Sequence, residues 1–402
     1  MQFARMLLVV RYCVIAKLGR HCFFHRPHKS FAIRSVPTLH SPMLTIWIAL
    51  GITSATMLLS GCSSSADGDR EERERLLLDS EMFAMDGDPE VVNLPPALSA
   101  SGYPRTDVLP HMEAPISPGR NYVYCATMKM ASEQVMGSNA SGSDLAQALS
   151  RVQFTEADLD PSSYFKFFGT YDEAIKRLLE RFPAAEDDLP EIVMWVGDAW
   201  FVYLEKSLPF REKFDRKDHA LDFTTPAGTV KVSGFGVDQL FLSRSRDFVL
   251  CKQVTIRDFQ NNDDFVLELN TLLSGDRIIL AKISPEKTLL DTVTRVQSRV
   301  ERGYSKSSDE SRLQDGERMM VPIVSFGVLK DYFGGTASQM IKFRLDESGA
   351  RLRSHVTVLA LGEEGKPRQF VFNKPFLLYL VQRNSDHPYL AMWIANEEFL
   401  ER

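Results

Sequence analysis

The side chains able to do chemistry are few and scattered. Beyond residue 62 the histidines are His111, His219, His355 and His387, and none stands at a metal-ligand spacing or beside a nucleophile motif. Glu186-Asp187-Asp188 and Asp263-Asp264 are acid clusters in polar surroundings, which reads as solvated loop. Trp195 and Trp200 lie in an apolar run and read as core. This inventory argues against an enzyme, and no cofactor or metal site is expected. Two other places carry a chemical possibility. One is the thiol of Cys62, at the end of an apolar run. The other is the polar stretch after Glu347.

Met43 to Cys62 is an apolar segment closed by Leu59-Ser60-Gly61-Cys62. Its length and small-residue end suit a signal peptide better than a membrane span. It resembles the lipobox of bacterial lipoproteins, which implies acylation of Cys62 as the mature N-terminus. Several acyl chains anchor durably, at about 0.8 kcal/mol per buried CH2. Ser63 after the cysteine implies the outer membrane, so the expected location is the cell envelope. A signal starting at Met43 would lack a basic head. Residues 1 to 42 supply Arg5, Arg11, Lys17, Arg20, Arg26, Lys29 and Arg34 without an acid, and initiation between Met1 and Met43 is the simpler account. Residues 1–61 are therefore set aside as a signal region.

Without those seven bases the chain holds 40 Lys and Arg against 53 Asp and Glu, a net of −13. A nucleic-acid partner would need clustered positive charge, so that class is excluded. Of the later cysteines, Cys125 and Cys251 have apolar neighbours; a disulfide and two buried thiols both remain open.

The elements that would position a site begin after a polar leader from Ser63 and a Pro-rich stretch, so 62–118 reads as a tether and 119–402 as the domain. Arg70 to Phe83 suggests a short charged helix. Helices are predicted over Tyr122–Val135, Thr170–Phe182 and Ser284–Arg302. Strands are predicted over Ile192–Tyr203, Leu221–Ser233, Phe248–Ile256, Phe265–Leu269, Arg277–Ile283 and Val321–Leu329. Helices first and a run of antiparallel strands afterwards give α+β.

The last sixty residues are more specific. Ile341 to Gly349 reads as a strand ending in an acidic turn, and Phe370 to Leu380 and Pro388 to Ile394 as two apolar strands. Glu347-Ser348-Gly349 and Phe372-Asn373-Lys374-Pro375-Phe376 resemble the serpin family's Glu-x-Gly hinge and Phe-x-x-Pro-Phe strand start. The spacing between them suits a reactive-centre loop. Further segments match in order from Asn121 to Phe399, most closely from Phe214. Cys125 and Ala126 depart from the family's Ser-Pro, and the chain is shorter than a serpin between Asn121 and Phe214. The resemblance implies a serpin-like α+β fold: N-terminal helices, a large, mainly antiparallel sheet and an exposed loop over 350–369. It implies a monomer and, as partner, a serine or cysteine protease.

The implied mechanism is suicide inhibition: a protease cleaves the loop, and the freed segment enters the main sheet as a new strand, distorting the acyl-enzyme. The hinge would be Glu347, Gly349, Ala350, Arg351 and Leu352. Counting places the bait bond after Glu363 or Glu364, with Lys366 and Arg368 as trypsin-like alternatives. Strand alternation puts Arg351, Arg353, His355 and Thr357 on one face. Burying unpaired guanidinium there costs several kcal/mol, which favours a hinge no longer used. Two alternatives stay open: a non-inhibitory serpin-fold binding lipoprotein and a lipid-carrying lipoprotein.

Overall fold

The computed structural model describes residues 11–17, 94–137, 149, 152–188, 199–241, 245–272, 275–303, 310–332, 337–348 and 367–402. Cys62, the 70–83 helix expectation and segment 349–366 lie outside them.

The architecture is α+β, with three sheets. The first has six strands in the order β2 (Leu98–Ser99), β13 (Val324–Tyr332), β14 (Ala337–Leu345), β1 (Arg11–Lys17), β6 (Ala199–Leu204) and β5 (Tyr164–Gly169). The second has seven: β3 (Thr106–Leu109), β4 (Asn121–Cys125), β17 (Leu390–Ile394), β16 (Phe376–Gln382), β11 (Asp276–Lys282), β10 (Asp264–Leu269) and β9 (Val254–Asn261). The third has four: β15 (Gln369–Val371), β12 (Arg318–Pro322), β8 (Gly228–Val237) and β7 (Asp215–Thr225).

Sequence explains the placements. β11 and β17 are buried at every position and β16 at all but its last, as expected where a near-continuous apolar run is covered on both faces. The strands predicted around 265, 277, 341 and 388 form. Three predicted single strands are each split in two: 221–233 is a hairpin of β7 and β8, 321–329 divides between β12 and β13, and 370–380 divides between β15 and β16. Helix α2 (Tyr171–Arg181) begins at Thr170, whose hydroxyl accepts from Glu173 N at 3.4 Å. Helix α4 (Leu289–Gly303) begins at Thr288, whose Oγ1 accepts from Asp291 N at 3.0 Å. Leu289, Val293, Val296 and Val300 form its buried stripe.

Three expectations are corrected. Asn121–Cys125 is strand β4, and helix α1 (Thr127–Gly137) starts only beyond it. A short run buried on all sides does not betray its period, so strand and helix look alike. Ser245–Lys252 is helix α3, where a strand was predicted from Phe248; β9 starts at Val254. Residues 94–118 are part of the folded unit: β3 pairs in parallel with β4, and Arg105 Nη2 reaches Glu397 at 2.8 Å. Prolines break helices but leave edge strands available. Within the region read as signal, Arg11–Lys17 forms a strand inside the six-stranded sheet.

One glycine is dictated by packing. Gly236 has φ +155°, and a Cβ there would lie 2.0 Å from Met319 O on neighbouring β12.

Candidate functional site

The segment suspected of meeting a protease is framed by two anchored ends and by the sheet it leaves. At its start, β14 ends at Leu345 and the chain turns through Asp346, Glu347 and Ser348. Asp346 Oδ1 accepts from Ser348 N (3.1 Å) and Oγ (2.7 Å), and Asp346 Oδ2 takes Arg344 Nε at 2.6 Å. Arg344 also reaches Glu401 Oε2 at 3.0 Å. Glu347 is 7 % exposed and faces Arg216 Nη1 at 3.5 Å. Burial pushes its carboxyl above the usual range and Asp346 adds to that, against a hydrogen bond and the nearby Arg216 and Lys213. Arg216 in turn holds Glu401 and Asp218. The hinge-side turn is thus tied to β7 and to the C-terminus.

At the other end Arg368 pairs with Glu317, with Nη2 to Oε2 at 3.1 Å. Gln369–Val371 then joins β12 in parallel, and Phe370 and Phe372 are fully buried. Lys282, 3 % exposed, donates to Val371 O (2.9 Å) and Asn373 Oδ1 (2.7 Å) and pairs with Asp263 at 2.8 Å. Burial lowers its ammonium pKa, with Asp263 opposing.

The middle of the six-stranded sheet has a distinctive geometry. β1 runs antiparallel to β14 on one side (Arg11↔Lys342 to Ala16↔Ala337) and to β6 on the other (Tyr12↔Leu204 to Lys17↔Ala199). β14 and β6 therefore run parallel to each other, one strand width apart. Beneath this position lies a buried polar cluster. Gln339 Nε2 donates to Thr127 Oγ1 at 2.9 Å and lies 3.4 Å from Cys125 O; Tyr332 Oη lies 3.2 Å from Gln339 Oε1 and 3.3 Å from Val108 O. Thr127 Oγ1 also lies 3.6 Å from Cys125 Sγ. Burial raises the Tyr332 phenol pKa strongly. The cluster ties β14 to the start of α1. Sequence reading marked Cys125 and Ala126 as departures but did not find Gln339, Thr127 or Tyr332; their spread over more than 200 residues leaves no local signal.

Helix α2 packs on the opposite side of β6, with Tyr171 against Phe201 (5.8 Å) and Phe182 against Tyr203 (5.1 Å). Asn121, which opened the sequence match, is fully buried: its Oδ1 accepts from Ala395 N and Asn396 N and its Nδ2 donates to Asn396 Oδ1, all within 2.9 Å.

The structure thus places Glu347 in the turn that follows β14 and fixes Arg368 by its ion pair with Glu317. Gly349, Ala350, Arg351, Leu352, Glu363, Glu364 and Lys366 lie outside the described residues. Cys125 and Cys251 are buried and are not joined in a disulfide; burial raises the Cys251 thiol pKa.

One constellation was not foreseen. Ser385 Oγ donates to Asp158 Oδ1 at 2.6 Å, and His387 Nδ1 lies 3.1 Å from Asp158 Oδ2. Both the serine and the histidine turn to the carboxylate. Nucleophile activation needs the serine bonded to the imidazole instead, so this is a clamp on the turn between β16 and β17. No group of three or more His, Cys, Asp or Glu among the described residues could hold a metal ion.

No protein-family model matches the sequence, and no curated protein matches it either. Solved structures do. Serpin48, a highly specific serpin of the insect Tenebrio molitor, is 12 % identical, with 69 % of this chain and 92 % of that chain covered and a TM-score of 0.32. Human thyroxine-binding globulin complexed with thyroxine is 10 % identical, with 70 % and 93 % covered and a TM-score of 0.36.

Proposed function

We propose that this chain is a serpin-like protein, anchored to the cell envelope through acylated Cys62, whose segment 349–366 is presented to a serine or cysteine protease as bait. The observation that supports this best is the geometry around β14. The segment leaves a strand of the six-stranded sheet and rejoins the fold in a different sheet, at β15. Beside β14, the sheet accepts one antiparallel strand, the direction a segment folding back from Leu345 would take. Cleavage within the segment would free its first half to take that place. The chain supplies no catalytic group. The protease's own nucleophile forms the acyl bond, and strand insertion would prevent its hydrolysis by displacing the acylated protease.

A second reading is a non-inhibitory binding protein with the same fold. It draws support from Arg351 and Arg353, which insertion would carry into the sheet, and from α2, which covers β6 next to the insertion position. One experiment separates the two. The chain from Cys62 onward is mixed with a panel of serine and cysteine proteases and examined on a denaturing gel. A covalent adduct, with the bait bond mapped near Glu363–Glu364, supports inhibition. Cleavage in 349–366 with neither adduct nor gain in thermal stability refutes it and leaves the binding reading.

A further inference from the structure

Helix α4 lays three arginines along one face. Arg295, Arg299 and Arg302 stand at i, i+4 and i+7, the spacing that puts side chains on a common stripe. With Asp258 and Gln260 of β9 and Asp264 of β10 they line a cleft of about 210 Å³. Arg299 is 5 % exposed and is held by two carboxylates: its Nε donates to Asp258 Oδ2 at 2.7 Å and its Nη1 to Asp264 Oδ1 at 2.6 Å. Its Nη2 is buried and has no hydrogen-bond partner among the described residues. Buried donors are rarely left so, because their lost hydration is then uncompensated. We propose that this cleft binds a small tetrahedral oxyanion, as the phosphate group of a monoester or as the free ion. This rests on neither the export reading nor the protease reading.

The chemistry follows from which groups are taken and which are left over. Asp258 also accepts from Phe259 N at 3.0 Å and from Gln260 Nε2 at 3.1 Å, so its oxygens are occupied. Arg295 pairs with Glu286 at 2.7 Å, but the two side chains are 41 % and 40 % exposed, and so weak a pair exchanges readily for a better anion. The lining sets three guanidiniums against two carboxylates, which makes the cleft positive in a chain whose net charge is −6. That contrast marks a local site rather than part of a cationic surface. A guanidinium fork suits the oxygens of a phosphate. A phosphate monoester offers three terminal oxygens, enough for one per arginine, where a carboxylate offers two. Volume limits the rest of the ligand. Sites that enclose a drug-sized molecule run to roughly 300–1,000 Å³, so this cleft takes the charged head and little beyond it.

Titration calorimetry on the full chain tests this with sodium phosphate, glycerol 3-phosphate and acetate. The ionic strength is fixed and the pH is about 8, above the second phosphate pKa of about 6. Phosphate should bind one to one, and acetate, with one oxygen fewer to offer, about tenfold more weakly. Arg295→Gln and Arg302→Gln should each weaken phosphate about tenfold, the worth of one hydrogen bond to a charged group. Both side chains are exposed, so neither change should disturb the fold. Arg299→Gln is the less useful change, since it strands Asp258 and Asp264. Gln260→Glu keeps every arginine and adds a carboxylate at an exposed position of the lining; it should weaken phosphate by a similar factor. Binding of sodium phosphate alone assigns the free ion, and binding of glycerol 3-phosphate assigns a monoester; each upholds the site. Binding of neither, acetate bound as tightly as phosphate, or phosphate binding that the three variants leave unchanged overturns it.

Discussion

Glu268 offers the sharpest test of how the seven-stranded sheet is held together. Its side chain is 1 % exposed, on β10, and receives two nearly buried guanidiniums from the neighbouring strands. Arg257 on β9 gives Nε at 2.8 Å and Nη2 at 2.7 Å to Oε2. Arg277 on β11 gives Nε at 3.1 Å to Oε1 and Nη2 at 2.8 Å to Oε2. Arg383 stands 3.7 Å from Oε1. Burial alone pushes the Glu268 carboxyl up, but the hydrogen bonds and charges of Arg277 and Arg257 outweigh it and hold the pKa below 4.5. Glu268→Gln removes the one carboxylate and aims an amide N–H2 at guanidinium donors. Removing one partner of a buried pair costs about 3–5 kcal/mol, which for a unit of this size lowers the thermal midpoint by roughly 6–20 °C. The assay is urea unfolding with constant m-value, repeated across acid pH. A group with a depressed folded pKa contributes stability above its unfolded value and loses it as pH falls through the folded one. The wild type should therefore lose this increment below about pH 4.5, and the variant should lack that part of the acid slope. A loss under about 1 kcal/mol, or an unchanged slope, would refute the reasoning. Replacing Arg257, Glu268 and Arg277 together by leucine should recover most of the loss, because no charge is then stranded.

Three further outcomes are expected. Gln339→Leu removes the buried hydrogen bonds that join Gln339 to Thr127 and Tyr332, and should cost about 1–3 kcal/mol in denaturant unfolding. Glu347 has a raised folded pKa, so its contribution to stability is full below its unfolded value of about 4.5 and is lost as pH rises through the folded one. Glu347→Gln should thus unfold at a higher temperature than wild type at neutral pH, and the two should converge in mild acid, as read by calorimetry. Gly236→Ala drives a methyl into Met319 O and should cost about 3 kcal/mol or more, seen as a lowered urea midpoint.

Much of the C-terminal half was legible because its strands alternate or run apolar between clear turns. Phe265–Leu269, Arg277–Ile283 and the α4 stripe each carry their own period. Asn121–Cys125 carries none, being buried at every position, and took on the helix of its neighbours. Phe248 belongs to a helix of eight residues, too short for the period to emerge. What is local was legible, such as the strand that ends before the acidic turn at Asp346 and the strand from Phe376. What folding assembles was hidden. Arg257, Glu268, Arg277 and Arg383 lie on different strands or turns, and Val14 meets Gln339 only through the sheet.

That last pairing sets a clock. Val14 and Gln339 are 325 residues apart, and synthesis at about 5–20 residues per second puts roughly 15 to 65 seconds between them. Throughout that interval β1 has emerged while the strand it would pair with does not exist. During synthesis the middle of the six-stranded sheet can therefore close only once β14 has emerged, while refolding from denaturant offers all its strands at once. Slowing elongation should delay that closure in the first case and leave the second unchanged.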